Sequence, residues 1–478
     1  MSICLMTILS LSMVLVAPLA PSAYAATTTT TSTTTTAKPT TFYVSTGGSD
    51  ATGTGSASSP FATISHAVSS ATSGMTVIVE PGTYKEMVLI TKQLTLISQS
   101  SQPSNTVINA TGQPVGIAVV GSAADGTVVE GFTVMNSDNE GIFVQNSLNV
   151  IIDNNFVAHN ALNILPGLGE SKGIQLTGTS KSTVAGNTVV GNMYGGIGIT
   201  DDGSTDASWN ATAAPSAGIP AGTPSPGDAN LISGNVIANN QPNHCAIVIS
   251  SYNPGEGVAN NIVSGNTVVD NQNGVIVAAD SPNTAAINNT VTNNNILNNG
   301  EGGVIVHSNA PGDVVTGNSI VNNVINGNGG LPDEENESDL VGIVIGGAGP
   351  VAVQDTSIIG NVFQNENVAI QIVNGADTMV GGNTIGATVR LAYEGTVTPI
   401  STPSSGSTST VTATATSTVT QATTILQTLT MNQSSTVAEA SPSGGLTFSL
   451  ALLTAVGTLI VGLIAGMIVR PIREASGR

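Results

Sequence analysis

Positive charge is nearly missing from this chain. Its 478 residues include 9 Lys and Arg against 29 Asp and Glu, and only 8% of residues are charged, for a formal net charge of −20. No Arg precedes Arg390, and the cations in the repetitive part are Lys85, Lys92, Lys172, Lys181 and Arg390. An acidic, cation-poor surface repels phosphate backbones and acidic polysaccharides at long range. Nucleic acid is therefore excluded as a partner. Pectate or alginate is disfavoured unless calcium bridges the charges. Cysteine is almost absent too: Cys4 and Cys245 are the only two. Cys4 lies in a segment expected to be removed, so the mature chain is expected to hold no internal disulfide, and its stability must come from packing.

What the chain has in abundance is repetition, and repetition bounds the fold before anything else does. One phrase is Gly-Asn-Thr-Val-Val or a relative, at residues 186–190, 234–238, 265–269, 317–321 and 360–364. The other is Gly-Ile-x-Ile/Val, at 116–119, 141–144, 173–176, 196–199, 274–277, 303–306 and 342–345, with Ala replacing Gly at 246–249 and 369–372. A third apolar piece precedes the Asn, at 150–152, 183–184, 231–232, 262–263, 314–315, 358–359 and 379–380. Three short strands per repeat, separated by Gly/Asn turns, predict one triangular coil of a parallel β-helix. Each coil buries its apolar face only against its neighbours. β-Branched residues suit the strands. Asn suits the corners, because it tolerates positive φ and its amide bonds nearby backbone; stacked amides can also bond from coil to coil. About ten to twelve coils fit, at roughly 4.8 Å each. The chain is thus expected to be all-β over residues 42–394.

The region before the Asn-rich coils carries its own signature. Phe42, Tyr43, Val44 and Ser45 lead into Gly47-Gly48-Ser49-Asp50, then a Ser-Pro-Phe-Ala-Thr-Ile run at 59–64, a short helical stretch near 60–71, Gly74 with an apolar run to Val79, and Pro81-Gly82-Thr83-Tyr84. This resembles the N-terminal cap of pectate-lyase-like right-handed β-helix proteins, and the later coils resemble NosD-type β-helix repeats. The resemblance implies a right-handed single-stranded β-helix. It does not select an activity, because that fold hosts lyases, hydrolases, epimerases and non-catalytic adhesins alike.

The ends predict export and anchorage. Residues 1–25 read as a signal peptide, with an apolar stretch at 3–16 and Ala23-Tyr24-Ala25 as the cleavage site, although no Lys or Arg precedes the stretch. Residues 26–41 are a Thr-rich leader. Residues 395–445 form a Ser/Thr-rich stalk that lacks aromatic side chains and cannot bury a core. Residues 446–469 are apolar, uncharged and long enough to span a bilayer as one C-terminal helix. Arg470, Arg473 and Arg478 follow, which places residues 470–478 in the cytoplasm and the β-helix outside. Sequons at Asn109, Asn210, Asn288, Asn336 and Asn432 are candidate glycosylation sites. The layout also resembles that of archaeal cell-surface proteins.

Alignment on Gly-Ile-x-Val turns the second and fourth positions inward and the third outward. The outward row reads Phe143, Gln175, Gly198, Val248, Ile276, Ile305, Val344 and Gln371. Such an apolar stripe marks an interface or a surface covered by the chain's own loops. Polar candidates lie just beyond the strand: Asp201 and Asp202, Tyr252, Asp280 and His307, with an insertion carrying the single Trp, Trp209. At the other edge sit Glu170, Lys172, His244 and Glu301, and an acidic run spans 333–339. Three readings stay open. Asp201, Asp202 and Asp280 are a general acid and base for a glycosidase, with Trp209, Tyr252, His244 and His307 as substrate contacts and Lys172 as an alternative lyase base. The same carboxylates bind Ca²⁺. Or they are solvated turn residues. The Asp-Asp pair echoes pectin hydrolases, but their Gly-His-Gly and Arg-x-Lys signals are missing, and no Arg supplies a cation clamp for a uronate lyase. His244 beside Cys245 is a single pair without a second, too little for a copper or zinc site. The sequence favours a surface protein of adhesive, envelope or carbohydrate-binding role, with a polysaccharide lyase or hydrolase as the alternative.

Overall fold

The computed structural model describes residues 40–162, 171–201, 225–240, 245–329, 341–347, 349–395 and 398–399. The signal, most of the leader, the stalk beyond residue 399, the apolar segment 446–469 and the tail lie outside them. So do Asp202, Trp209, Glu170, His244, the acidic run and the sequons at Asn210, Asn336 and Asn432. Among the described residues no helix is long and apolar enough to cross a membrane.

From Thr41 onward the chain winds through stacked parallel sheets. Sheet I has 13 strands, from Thr41–Val44 to Thr398–Pro399; sheets II and III have 11 each. Sheet II, from Val88–Ile90 to Leu391–Gly395, holds the Gly-Ile-x-Val phrases. Sheet III, from Gly82–Tyr84 to Thr384–Ile385, holds most of the Gly-Asn phrases. One coil runs Ile142–Gln145 in sheet II, Ile151–Asp153 in sheet I and Phe156–Ala158 in sheet III, then re-enters sheet II at Ile174–Thr177. The paired strands are parallel, as in Ile142↔Ile174. A single core, including Ile142, Val144, Ile152 and Val157, fills the interior. Most three-residue strands bury only their central side chain, which is why so short a strand suffices.

Two expectations need correction. Five coils carry a fourth strand, in sheet IV, running from Val258–Ala259 to Gly375–Ala376 between sheets II and I. Residues 314–315 belong to it, as part of Val314–Thr316, and the phrase at 317–321 forms the sheet I strand Ser319–Val321 rather than a sheet III strand. The same turn-plus-strand unit serves both corners, so one phrase does not say which corner it makes.

The corner unit explains the composition. The first residue of each corner is left-handed: Asn293 at φ 55, Asn298 at φ 53, Gly265 at φ 67. The second is at most corners a buried Asn that stacks on its counterpart in the next coil. Asn266 donates its N–H (2.9 Å) and its Nδ2 (3.0 Å) to Asn294 Oδ1, and Asn294 donates likewise to Asn323 Oδ1. Three such ladders run through the corners, starting near Asn155, Asn160 and Ser182. Buried amides are tolerated only when their hydrogen bonds are made, and here each coil satisfies the next.

The N-terminal end is closed by the helix Ile64–Ser70, capped by Thr63, so that it starts at Ile64 rather than near residue 60. Its N-terminus is held by two carboxylates. Asp50 Oδ1 accepts the N–H groups of Ala62 and Thr63, at 2.8 and 3.1 Å, and Glu86 accepts those of Ile64 and Ser65, at 3.0 and 2.8 Å. Negative charge at a helix N-terminus satisfies free amides and the dipole together.

Candidate functional site

The outer row of sheet II is directed away from the coil axis but is not open to solvent. Val248, Ile276, Ile305 and Val344 pack with Cys245, Ala278 and Val341 in a second small core. Phe143 packs with Val115, Ala118 and Val120 in a third. The apolar stripe is therefore covered within the chain. Gln175 in the same row lies over Gly198, where a Cβ would stand 2.1 Å from its Oε1. Its Nε2 donates to Thr200 Oγ1 at 3.2 Å, and Thr200 donates to Thr177 at 2.9 Å.

Just past these strands, the corner gathers two carboxylates from coils on either side of a third. Asp201 is fully buried. Its Oδ1 accepts Tyr252 N–H at 2.8 Å and Asn253 N–H at 3.3 Å, its Oδ2 accepts the Ser251 hydroxyl, and its carbonyl accepts Asn253 Nδ2 at 2.9 Å. Asp280 is more open, with 17% of its side chain exposed. It accepts Asn309 Nδ2 at 2.8 Å and the Ser250 hydroxyl, and lies 3.3 Å from His307 Nε2. The two aspartates stand two coils apart, about 9–10 Å along the stack, with Ser250 and Ser251 on the coil between. Tyr252 enters through its backbone bond to Asp201, and His307 through Asp280. Among the described residues no group of three or more His, Cys, Asp or Glu side chains is arranged to hold a metal ion.

Lys172 is not at this corner. It precedes the strand Ile174–Thr177, and its register neighbour on the next coil is Gly195, six residues before Asp201. That is about 20 Å along the strand direction. Lys172 is fully buried; its stem crosses Gly195, and its Nζ donates to Tyr194 O at 3.0 Å. One coil back in the same register sits Glu140, also fully buried. Burial pushes its carboxyl up to about 7, against the opposing pull of the Ser171 hydroxyl and the Lys172 ammonium. Neither carboxylate oxygen makes a hydrogen bond of good geometry, so Ser171 acts as a nearby dipole rather than a formed bond. Further along this edge Glu301 accepts Asn273 Nδ2 at 2.6 Å and the Gln272 amide. Reading one position upstream of each Gly-Ile phrase, beside the outward row, would have exposed Glu140.

Of the sequons within reach, Asn288 is exposed at a left-handed corner. Asn109 is half-buried and accepts from its own Thr111, hydroxyl at 2.7 Å and N–H at 3.2 Å.

Residues 97–291 match the family model described as right handed beta helix region. Residues 46–95, which include Asp50, Glu86 and the capping helix, match a family described only as a protein of unknown function, DUF1565. The family 28 exopolygalacturonase of Yersinia enterocolitica superposes with a TM-score of 0.50 at 14% identity, over 76% of this chain and 78% of that one. The fold is a right-handed parallel β-helix. An alginate lyase from Paenibacillus (TM-score 0.43, 14% identity, 70% of this chain and 95% of that one) and the Streptococcus pneumoniae surface protein and adhesin PfbA (0.40, 14%, 68% and 87%) are also similar. No curated protein matches the sequence. At these identities the likeness of this right-handed β-helix to the solved structures is one of fold.

The bonds of Asp201 yield a stability prediction. Asp201→Ala leaves the N–H groups of Tyr252 and Asn253 and the Ser251 hydroxyl without their acceptor, inside the chain. An unsatisfied buried donor costs about 1–3 kcal/mol, so a loss of about 3 kcal/mol is expected in urea unfolding, with no ligand present.

Proposed function

We propose that this chain is a cell-surface β-helix protein of non-catalytic role: adhesion, envelope structure or carbohydrate binding. In this reading the signal at 1–25 exports it, the stalk at 395–445 holds the β-helix off the membrane, and the helix at 446–469 anchors it with residues 470–478 in the cytoplasm. The observation that carries the reading is the use made of Asp201. Its carboxylate accepts from three groups of the next coil, so it acts as a staple between coils. A general base needs a lone pair aimed at substrate. A polysaccharide lyase or hydrolase is the second reading. Asp280 favours it, because this carboxylate is partly exposed and has His307 and Asn309 at its side. Calcium would join through the same corner by adding oxygen ligands.

The test presents the full-length chain to a polysaccharide array with and without calcium, reading retention and released sugar separately. Retention without release is the expected result. Release that disappears in Asp280→Asn would replace the binding reading with the enzymatic one. Absence of both signals would leave an envelope or spacer role.

A further inference from the structure

The ladder at the corner between sheets III and II ends differently from how it runs. It passes through Asn160, Asn192, Asn240, Asn271, Asn299 and Asn328, and then reaches Glu366. Each asparagine after the first has two duties. Its Oδ1 accepts the N–H and Nδ2–H of the preceding asparagine. Its own Nδ2 donates to a strand carbonyl one coil back: Asn271 to Ile237 at 3.0 Å, Asn299 to Val268 at 3.3 Å, Asn328 to Ile296 at 3.0 Å.

Glu366 performs the first duty. Its Oε1 accepts Asn328 N–H at 3.1 Å and Asn328 Nδ2 at 3.0 Å. Its Oε2, the chemical counterpart of the asparagine Nδ2, is buried and without a hydrogen-bond partner. The carbonyl that the series assigns to that atom is Ile325 O, since Ile325 is the register neighbour of Ile296. A carboxylate has no hydrogen to offer a carbonyl; a carboxylic acid has one. The geometry points to a proton-operated clasp: Glu366 is held as the neutral acid, its Oε2–H replaces the amide N–H, and the last coil closes fully only with that proton in place.

Solvation agrees with the geometry. Burial raises the Glu366 carboxyl to about 7, outweighing the donors from Asn328 that favour the ionised form. The elements packed around it bring two other titratable side chains among the described residues. Arg390 is exposed, and its backbone N–H donates to Glu366 O at 3.1 Å. Tyr393 is pushed upward by burial and stays neutral. The Glu394 side chain and the acidic run after Gly329 lie outside the described residues. Because the acid is raised from 4.5 to about 7 on folding, the clasp is complete below about pH 4.5 and is lost as pH rises through about 7.

Hydrogen exchange on the full-length chain tests this, with peptides covering residues 361–395 followed at pH 6 and pH 8.5 and corrected for intrinsic rates. Protection of the last coil is expected to fall about tenfold, which is the limit that a shift from 4.5 to about 7 allows between these two pH values. Peptides over residues 260–300, where the ladders are all asparagine, should not change. Glu366→Gln supplies a permanent N–H of the same length and should stay protected at both pH values. Glu366→Ala should be unprotected at both. Equal protection of the natural chain at the two pH values, a Gln variant that follows its fall, or a protected Ala variant would each overturn the clasp.

Discussion

Replacing Asn294 by Ala is expected to destabilise the chain by about 4 kcal/mol, whereas Asn293→Gly, one residue earlier, should stay within about 0.5 kcal/mol of the natural chain. The two asparagines look interchangeable in the run Asn293-Asn294-Asn295. Their duties are not. Asn293 is exposed with φ 55, and what its position requires is a left-handed backbone, which Gly adopts without strain. Asn294 is buried and holds three coils together. It accepts Asn266 N–H and Nδ2, at 2.9 and 3.0 Å, and donates its own Nδ2 to Val263 O at 2.9 Å and to Asn323 Oδ1 at 3.0 Å. Alanine keeps the backbone but strands two donors of Asn266 and leaves Val263 O short of a partner. Each stranded buried group costs about 1–3 kcal/mol, and the lost side-chain volume adds to that. Urea midpoints of the two variants give the comparison. A solenoid is coupled mainly between neighbours, so exchange protection should fall first in the coils on either side of Asn294. Equal losses from the two variants would mean that the ladder contributes no more than the turn.

This division of labour marks how far the sequence could be read. Period, strand content and the capping region were visible, because a strand with one inward residue and a two-residue corner leaves a fixed imprint every coil. Asn at the corners was visible too, but as one residue with two virtues, positive φ and a bonding amide. The structure gives each virtue to a separate residue, so Gly-Asn and Asn-Asn are one motif. The fourth strand was hidden because Ala285–Ile287 and Val314–Thr316 spell the same apolar phrase as strands of the other sheets. Pairing partners, not composition, tell them apart. At the candidate site, Asp201 and Asp280 share a corner because both follow their phrase closely, five residues after Gly196 and six after Gly274, while Lys172 precedes its phrase and falls at the far edge. What no spacing could reveal was engagement. Ser251, Tyr252 and Asn253 lie about 50 residues beyond Asp201, and only stacking brings their donors onto its carboxylate. Glu140 was missed for a related reason: a single buried acid has no motif, and its meaning comes from Lys172 in the next coil.

The glycine that opens the Gly-Ile-x-Val phrase gives the second large effect, and conformational freedom is not its cause. Gly274 is absent from the positive-φ positions. A Cβ built there would lie 2.1 Å from Gly303 O and 2.9 Å from Ile296 Cγ2. Gly303 in turn would meet Gly342 O at 2.4 Å, and Gly196 would meet Ala246 O at 2.4 Å. In this column each coil rests against the carbonyl of the next, so the obstacle is backbone, which cannot rotate aside as a side-chain tip can. Gly274→Ala is expected to cost about 3 kcal/mol and Gly274→Val more, approaching loss of the folded stack. Ala246 and Ala369 show that a methyl is accommodated at this position in other coils, and they supply the control. Ala246→Gly removes a small buried group and relieves no clash, so a loss of about 1 kcal/mol is expected. Thermal and urea unfolding of the three variants measure the contrast. If Gly274→Ala proves as mild as Ala246→Gly, the coils can spread by a few tenths of an ångström at no cost, and the phrase keeps its glycine for a reason other than contact.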